Sequence, residues 1–118
     1  VRKSVGAETT FGADLFTAEE AHAALEPLIA KVWSYCENSK VRGRTATLKA
    51  KYADFQQITR SRSLNVPIDS RAVLEEVVDQ LLEPLFPVEK GIRLLGVTLS
   101  SFEAEGELRV GQQMLLPI

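Results

Sequence analysis

The stretch RTATLKAKYADF, residues 44–55, alternates between two kinds of side chain along most of its length. The small or apolar positions are Ala46, Leu48, Ala50 and Tyr52, and the polar positions between them are Thr45, Thr47, Lys49 and Lys51. A period of two is typical of a β-strand with one buried side and one solvent-facing side. The stretch therefore predicts a strand with an apolar face and a Lys/Thr face, followed by a turn over residues 53–57.

Three further segments have the character of strands. Residues 2–11, RKSVGAETTF, alternate with Val5, Ala7 and Phe11 on the apolar side. Residues 58–66, ITRSRSLNV, alternate poorly, and the pattern leaves open which side of this strand is buried. Residues 92–102, IRLLGVTLSSF, follow a turn at Gly91 and place Leu95, Val97 and Leu99 on one face. The chain therefore supplies four candidate strands.

Two segments have helical periodicity. The first starts at a capping box formed by Thr17 and Glu20, since a hydroxyl and a carboxylate three residues apart satisfy each other's backbone amides. Its apolar stripe is Ala21, Leu25, Leu28, Ile29, Val32, Trp33 and Cys36. The second runs from a cap at Asp69 or Ser70 to about Leu85, and its core candidates are Val73, Leu74, Val77, Val78, Leu81, Leu82 and Leu85.

The order of the elements is therefore β-α-β-β-α-β. We expect an α+β two-layer sandwich in which two helices cover one face of a four-stranded sheet, the split βαβ or ferredoxin-like arrangement. The opposite face would carry Ser4, Gly6, Thr45, Thr47, Lys49, Lys51, Gly96, Thr98 and Ser100. We expect a domain over residues 1–102, a flexible linker over residues 103–112, and a terminal peptide over residues 113–118.

Composition and charge exclude some classes of protein and favour others. The chain has 118 residues, of which 45% are apolar and 25% charged, as in one globular domain. A single cysteine, Cys36, excludes an internal disulfide and favours a cytoplasmic setting, and no apolar run is long enough to cross a membrane. Between Lys40 and Ser63 the basic residues outnumber the acids, with Asp54 alone opposing them. This segregation indicates a surface that faces a polyanion.

No catalytic or metal-binding set can be assembled from the sequence. His22 has no second histidine or nearby cysteine to complete a metal site, and Cys36 belongs to the apolar stripe of the first helix. The acids fall on helix surfaces, where solvated charge is the ordinary explanation, and pairing with a neighbouring arginine accounts for Asp54. We expect no catalytic site and no cofactor in this chain.

The basic segment suits phosphate oxygens. Lys49, Lys51, Arg60 and Arg62 alternate with Thr47, Thr59, Ser61 and Ser63, so cations and neutral hydroxyl donors lie side by side. Gly6 and Gly96 leave room for a backbone amide to approach a phosphate. Aromatic residues are missing from the predicted polar sheet face, which argues against stacking on single-stranded bases. The alternative is that a Lys/Thr strand is only a solvated face.

Three stretches, RKSVGAETTF, TLKAKYADFQQITRSRSL and IRLLGVTLSSF, resemble the signature segments of the little finger domain of bacterial Y-family DNA polymerases. The resemblance spans the chain in order and spacing. It implies the C-terminal DNA-gripping domain of an error-prone translesion polymerase. The palm, fingers and thumb, with magnesium-dependent nucleotidyl transfer, would lie upstream.

The resemblance also implies contacts to both strands of a template-primer duplex, made in the major groove through backbone amides and polar side chains. The residues that match the contacting segments are Lys3, Ser4, Val5, Gly6, Lys49, Lys51, Thr59, Arg60, Ser61, Arg62 and Arg93. Among them Arg93 stands apart, because alternation places it on the same face as Leu95 and Val97.

The end of the chain is similar to the short peptide with which bacterial polymerases of this family bind the sliding clamp, the β subunit of the replicative polymerase. The matching residues are Gln113, Met114, Leu115, Leu116, Pro117 and Ile118. Gln113 would be the polar anchor, and Met114 and Leu116 would enter an apolar pocket. The alternative is a tail that packs on its own domain. Other interpretations of the whole chain are a stand-alone ferredoxin-like nucleic-acid-binding module and a small-molecule regulatory module.

Overall fold

The computed structural model describes the backbone of residues 4–104 and the side chains of residues 4–102. The elements in chain order are β1 (Ser4–Leu15), α1 (Ala18–Ser39), β2 (Val41–Tyr52), β3 (Gln57–Ser63), α2 (Arg71–Leu82) with a following 3-10 turn (Glu83–Leu85), and β4 (Ile92–Ala104). The predicted β-α-β-β-α-β order and two-layer α+β class are confirmed. None of the helices in the described part of the chain is long and apolar enough to cross a membrane.

The four strands form one sheet in the order β1-β4-β2-β3, and every neighbouring pair is antiparallel. One other strand lies between the two strands that each helix connects, so the split βαβ arrangement is confirmed. The ferredoxin-like label is wrong in strand order, because that fold has its first and third strands in the centre. Here β2 and β4 are central because they carry the fully buried positions, whereas β3 is mostly exposed and lies at an edge.

The core lies between the helices and one face of the sheet. The α1 stripe from Ala21 to Cys36 is buried as predicted. From α2, the buried residues are Leu74, Val77, Val78 and Leu82, and from the sheet they are Val5, Ala46, Leu48, Ala50, Ile92, Leu95, Val97 and Leu99. These sheet residues alternate along their strands and face the helices. The residues between them form the other face of the sheet, which no helix covers.

Several boundaries differ from the predicted ones. The third strand ends at Ser63 rather than Val66, and the second helix ends at Leu82, where the 3-10 turn begins. Strand β4 extends to Ala104, since residues 103 and 104 pair with Arg42 and Val41. The first two residues assigned to the linker therefore belong to the sheet. The rest of that linker, the terminal peptide over residues 113–118 and Lys3 lie outside the described residues.

The capping box at the start of α1 is confirmed. The Glu20 amide donates to Thr17 Oγ1 at 3.1 Å, and the amides of Phe16 and Thr17 donate to Glu20 Oε1 at 3.0 and 3.2 Å. These backbone bonds hold the pKa of Glu20 below its usual value. The stability they supply is therefore present above the unfolded-state pKa of the carboxyl and is lost as the pH falls through its folded-state pKa.

Replacing Thr17 with alanine removes the hydroxyl that accepts from Glu20. We expect the free energy of unfolding to fall by about 1 kcal/mol, as for other N-cap losses, when measured by urea denaturation. Thr17→Ser keeps an acceptor in the same place and serves as the matched control. Equal losses for the two variants would show that the cap bond does not contribute.

Candidate nucleic-acid interface

The strand register divides the sheet residues between the core face and an uncovered face, because directly opposed residues point to the same side. Four rows of opposed residues form the uncovered face. They are Ser4–Ser100–Thr45–Ser63, Gly6–Thr98–Thr47–Ser61, Glu8–Gly96–Lys49–Thr59 and Thr10–Leu94–Lys51–Gln57. We call these residues the open face. Every residue that the sequence assigned to the face opposite the helices lies on it.

Serine and threonine dominate the open face, and four of their hydroxyls are paired between β2 and β3. Thr45 Oγ1 lies 2.7 Å from Ser63 Oγ, and Thr47 Oγ1 lies 2.7 Å from Ser61 Oγ. Thr45 Oγ1 is also 3.1 Å from the hydroxyl of Ser101, a residue in a left-handed backbone conformation with φ 61°. Paired hydroxyls are neutral donors and acceptors in a regular array, which suits a ligand with repeated oxygen atoms.

Two lysines supply the positive charge of the open face. Lys49 Nζ lies 2.8 Å from Glu8 Oε2, which reaches it from β1 across Gly96 of β4. Lys51 has no acidic partner within residues 4–102. Glu8 is on the polar side of β1, which it shares with Ser4 and Gly6. Its pairing with Lys49 was missed, because that contact depends on β4 lying between the two strands.

Arg60 and Arg62 do not lie on the open face with Lys49 and Lys51, a point that the sequence pattern of the third strand had left open. They are opposite Leu48 and Ala46, so they project to the helix side of β3. Arg62 donates to the side-chain oxygen of Gln80 on α2, and Arg60 donates to the Thr59 carbonyl oxygen at 2.9 Å. Because β3 lies at the edge of the sheet, both arginines remain exposed although they are on the helix side.

Two other candidates occupy special positions. Val5 points into the core, so only its backbone on edge strand β1 is available to a ligand. Arg93 lies where the pairing of β4 shifts relative to both neighbouring strands, with Nε 3.6 Å from Asp14 Oδ1. Its guanidinium carbon is 5.1 Å from the centre of the Phe55 ring. Arg93 is thus held by Asp14 and Phe55 at the end of the sheet, away from Lys49.

A shallow depression of about 210 Å³ lies on the open face between β1, β4 and β2. It is lined by Gly6, Ala7, Glu8, Lys49, Gly96 and Thr98. A Cβ atom on Gly6 would lie 2.7 Å from Thr98 Oγ1 and 3.1 Å from the Val97 carbonyl oxygen, so a side chain there would fill the floor of the depression. Gly6 and Gly96 therefore create a hollow beside the Lys49 ammonium group.

The other titratable residues that the sequence analysis considered have structural roles. His22 Nδ1 lies 2.9 Å from Asp79 Oδ1, which links α1 to α2. Burial raises the pKa of the Cys36 thiol, and the side chain is fully enclosed. Asp54 pairs with Lys90 rather than with an arginine, and the Lys90 hydrogen bond lowers the pKa of that carboxyl. Residues 4–102 contain no group of three metal-ligating side chains.

Comparison with known proteins gives the family. The family described as impB/mucB/samB family C-terminal domain matches residues 2–114. DNA polymerase IV 3 of Mesorhizobium japonicum is 61% identical over 100 residues, which cover 85% of this chain and 27% of that protein. DNA polymerase IV of Gluconobacter oxydans is 46% identical over 115 residues, which cover 98% of this chain and 32% of that protein. The chain thus spans about a third of these relatives.

Solved structures share the fold. The little finger domain of PolIV in a complex with the beta-clamp processivity factor superposes with a TM-score of 0.68, at 24% identity over 86% of this chain and 91% of that one. A Y-family DNA polymerase chimera gives a TM-score of 0.78, at 19% identity over 89% of this chain and 30% of that one. The chain belongs to the impB/mucB/samB family of C-terminal domains, the little finger domains of Y-family DNA polymerases.

Proposed function

We propose that the open face binds the phosphate backbone of duplex DNA in the major groove, and that the chain is the template-primer-gripping part of a translesion polymerase. The observation that carries this proposal is the array of paired hydroxyls beside Lys49 and Lys51 on a face without helices. Hydroxyls and ammonium groups are typical donors to phosphate oxygens. Among the described residues of the open face there is no aromatic side chain on which an unpaired base could stack.

Contacts of this type give little sequence preference, because phosphates are the same at every base pair. The edge strands β1 and β3 support the proposal, since the outer backbone groups of an edge strand have no partner strand within the described sheet. Ser4 and Gly6 lie on one such edge, and Thr59 and Ser61 on the other. A duplex lying across the sheet would meet polar backbone groups at both edges and lysines between them.

The rest of the polymerase forms the second part of the proposal. The relatives are named DNA polymerase IV and are about three times as long as this chain. Nucleotidyl transfer, with magnesium as the metal, belongs to the palm that such a polymerase carries upstream of its little finger. This domain would hold the primer-template while the palm catalyses nucleotidyl transfer. The setting would be DNA repair in the cytoplasm. The sliding clamp is the proposed partner of residues 113–118.

Removing both open-face lysines tests the DNA interface. We expect Lys49→Ala/Lys51→Ala to weaken binding at least about tenfold, and about equally on two short duplexes of unrelated sequence. The slope of log affinity against log salt concentration should fall by about one unit for each phosphate that the variant no longer neutralises. Both quantities are measured by fluorescence anisotropy over a salt series.

The matched control is Lys31→Ala/Arg71→Ala, which removes two exposed cations from the helices on the other side of the domain. It changes the net charge by the same amount, so it reports the effect of charge alone. We expect it to change duplex affinity and the salt slope only slightly. An unchanged salt slope in the Lys49/Lys51 variant would contradict the assignment of the open face.

A further inference from the structure

A carboxylate lies in the middle of the surface that is proposed to bind a polyanion. Glu8 is on the open face, and its side chain is 53% exposed. It forms an ion pair with Lys49, one of two cations on the described open face, with 2.8 Å between Nζ and Oε2. Since a phosphate oxygen and Glu8 need the same ammonium group, the pair has a direct consequence for DNA binding.

The ion pair spans two inter-strand distances. Glu8 and Lys49 are both opposite Gly96 in the register, one on each side of β4. A Cβ atom at Gly96 would lie 3.1 Å from Glu8 Cβ and 3.5 Å from Glu8 Oε2. Gly96 therefore leaves the gap through which the two side chains meet, and this gap is part of the depression described above.

We propose that Glu8 is an affinity-limiting residue of the DNA interface, which competes with the phosphate backbone for the Lys49 ammonium group. This inference rests on the proposed function. In the free domain Glu8 holds Lys49 over Gly96. When a phosphate enters the depression, Lys49 turns from the carboxylate to the phosphate oxygen, and the carboxylate is left beside a like charge. Each step makes the free energy of DNA binding less favourable. The domain therefore binds duplex DNA less tightly than it would without the Glu8 carboxylate.

Competition for Lys49 can be distinguished from general repulsion between a carboxylate and DNA. An exposed carboxylate anywhere on the domain repels DNA weakly, and salt screens that effect. Competition requires Lys49 as well, because binding breaks the Glu8–Lys49 pair itself. The effect of removing the Glu8 charge should therefore depend on whether Lys49 is present, which a double-mutant cycle measures directly.

The test compares the 118-residue chain with Glu8→Gln, Lys49→Ala and the double variant, each titrated against one short DNA duplex at constant salt. We expect Glu8→Gln to tighten binding about threefold to tenfold. The gain is modest because an exposed ion pair such as Glu8–Lys49 is weak, and the only further contribution is repulsion between the carboxylate and the phosphate. In the Lys49→Ala background the same change should tighten binding by less than about twofold. Glu76→Gln, on an exposed position of α2, is the matched control for net charge and should leave the affinity unchanged.

Three results would overturn the inference. If Glu8→Gln binds no more tightly than the parent chain, Glu8 does not limit the affinity. If the gain is equal with and without Lys49, Glu8 acts by repulsion and not by competition. If Glu76→Gln gives the same gain, the effect is one of net charge. A parent chain and variants that all fail to bind duplex DNA would instead contradict the proposed function, which keeps the two failures distinct.

Discussion

Replacing Leu99 with alanine is expected to lower the free energy of unfolding by about 3–5 kcal/mol, the range for leucines whose site cannot collapse after truncation. Leu99 is fully buried in the central strand β4, opposite Val5 on one side and Ala46 on the other. Its side chain also fills the space over Gly43, where a Cβ atom would lie 2.6 Å from Leu99 Cγ. Ala46 and Gly43 of β2 have little or no side chain that could move in to fill the cavity.

The measurement is equilibrium unfolding in guanidinium chloride, followed by circular dichroism. Ser100→Ala is the matched control, because it changes the next residue of the same strand, which lies on the open face. We expect that variant to stay within about 0.5 kcal/mol of the parent chain, as surface substitutions usually do. Similar losses at the two positions would contradict the division of β4 into a core face and an open face.

The division of the sheet into two faces was largely predictable from the sequence, because period-two alternation is regular over residues 45–51 of β2 and 94–100 of β4. Leu48 and Leu95 alternate with Lys49 and Gly96, and a one-residue slip would move these two leucines from the core to the open face. The buried stripe of α1 was predictable for the same kind of reason. A helix with a capping box and apolar residues at 3.6-residue spacing has one way to face a sheet.

The sequence did not determine the position of β3. Ile58, Arg60 and Arg62 share one side of this strand, and such a mixed pattern fits either face of a sheet. The position of β3 is decided by the strand order, in which β3 pairs only with β2 and lies at the edge, with Arg62 bonded to Gln80 of α2. Strand order depends on long-range packing, so local periodicity could not show that the two arginines point away from Lys49.

The same limit explains why the Glu8–Lys49 pair was missed. The two residues are on different strands and meet only because β4 lies between them with a glycine at the crossing point. Arg93 is a comparable case, since its contacts with Asp14 and Phe55 arise where the pairing of β4 shifts. Family resemblance supplied candidate contact residues, but the register decides which of them share a surface.

Deleting residues 113–118 is expected to abolish binding to the sliding clamp while duplex binding is unchanged. The proposed peptide places Met114 and Leu116 in an apolar pocket, and burial of such side chains is worth about 1.5–3 kcal/mol each. A short peptide that becomes ordered on binding has a modest net free energy of binding, because the ordering itself costs about 2–5 kcal/mol. Loss of the whole segment therefore removes the interaction rather than weakening it. Surface plasmon resonance on immobilised clamp measures the first effect, and fluorescence anisotropy measures the second.

A chain with residues 113–118 in scrambled order is the matched control, since it keeps length and composition but moves the glutamine and the apolar positions. We expect it to fail to bind the clamp as completely as the deletion does. Unfolding experiments on the deletion variant test the alternative in which the tail packs on its own domain. Docking in cis would bury the same apolar side chains, so its loss would lower the stability by a comparable amount. An unchanged unfolding midpoint together with abolished clamp binding supports the peptide, whereas clamp affinity that survives the deletion would assign binding to the body of the domain.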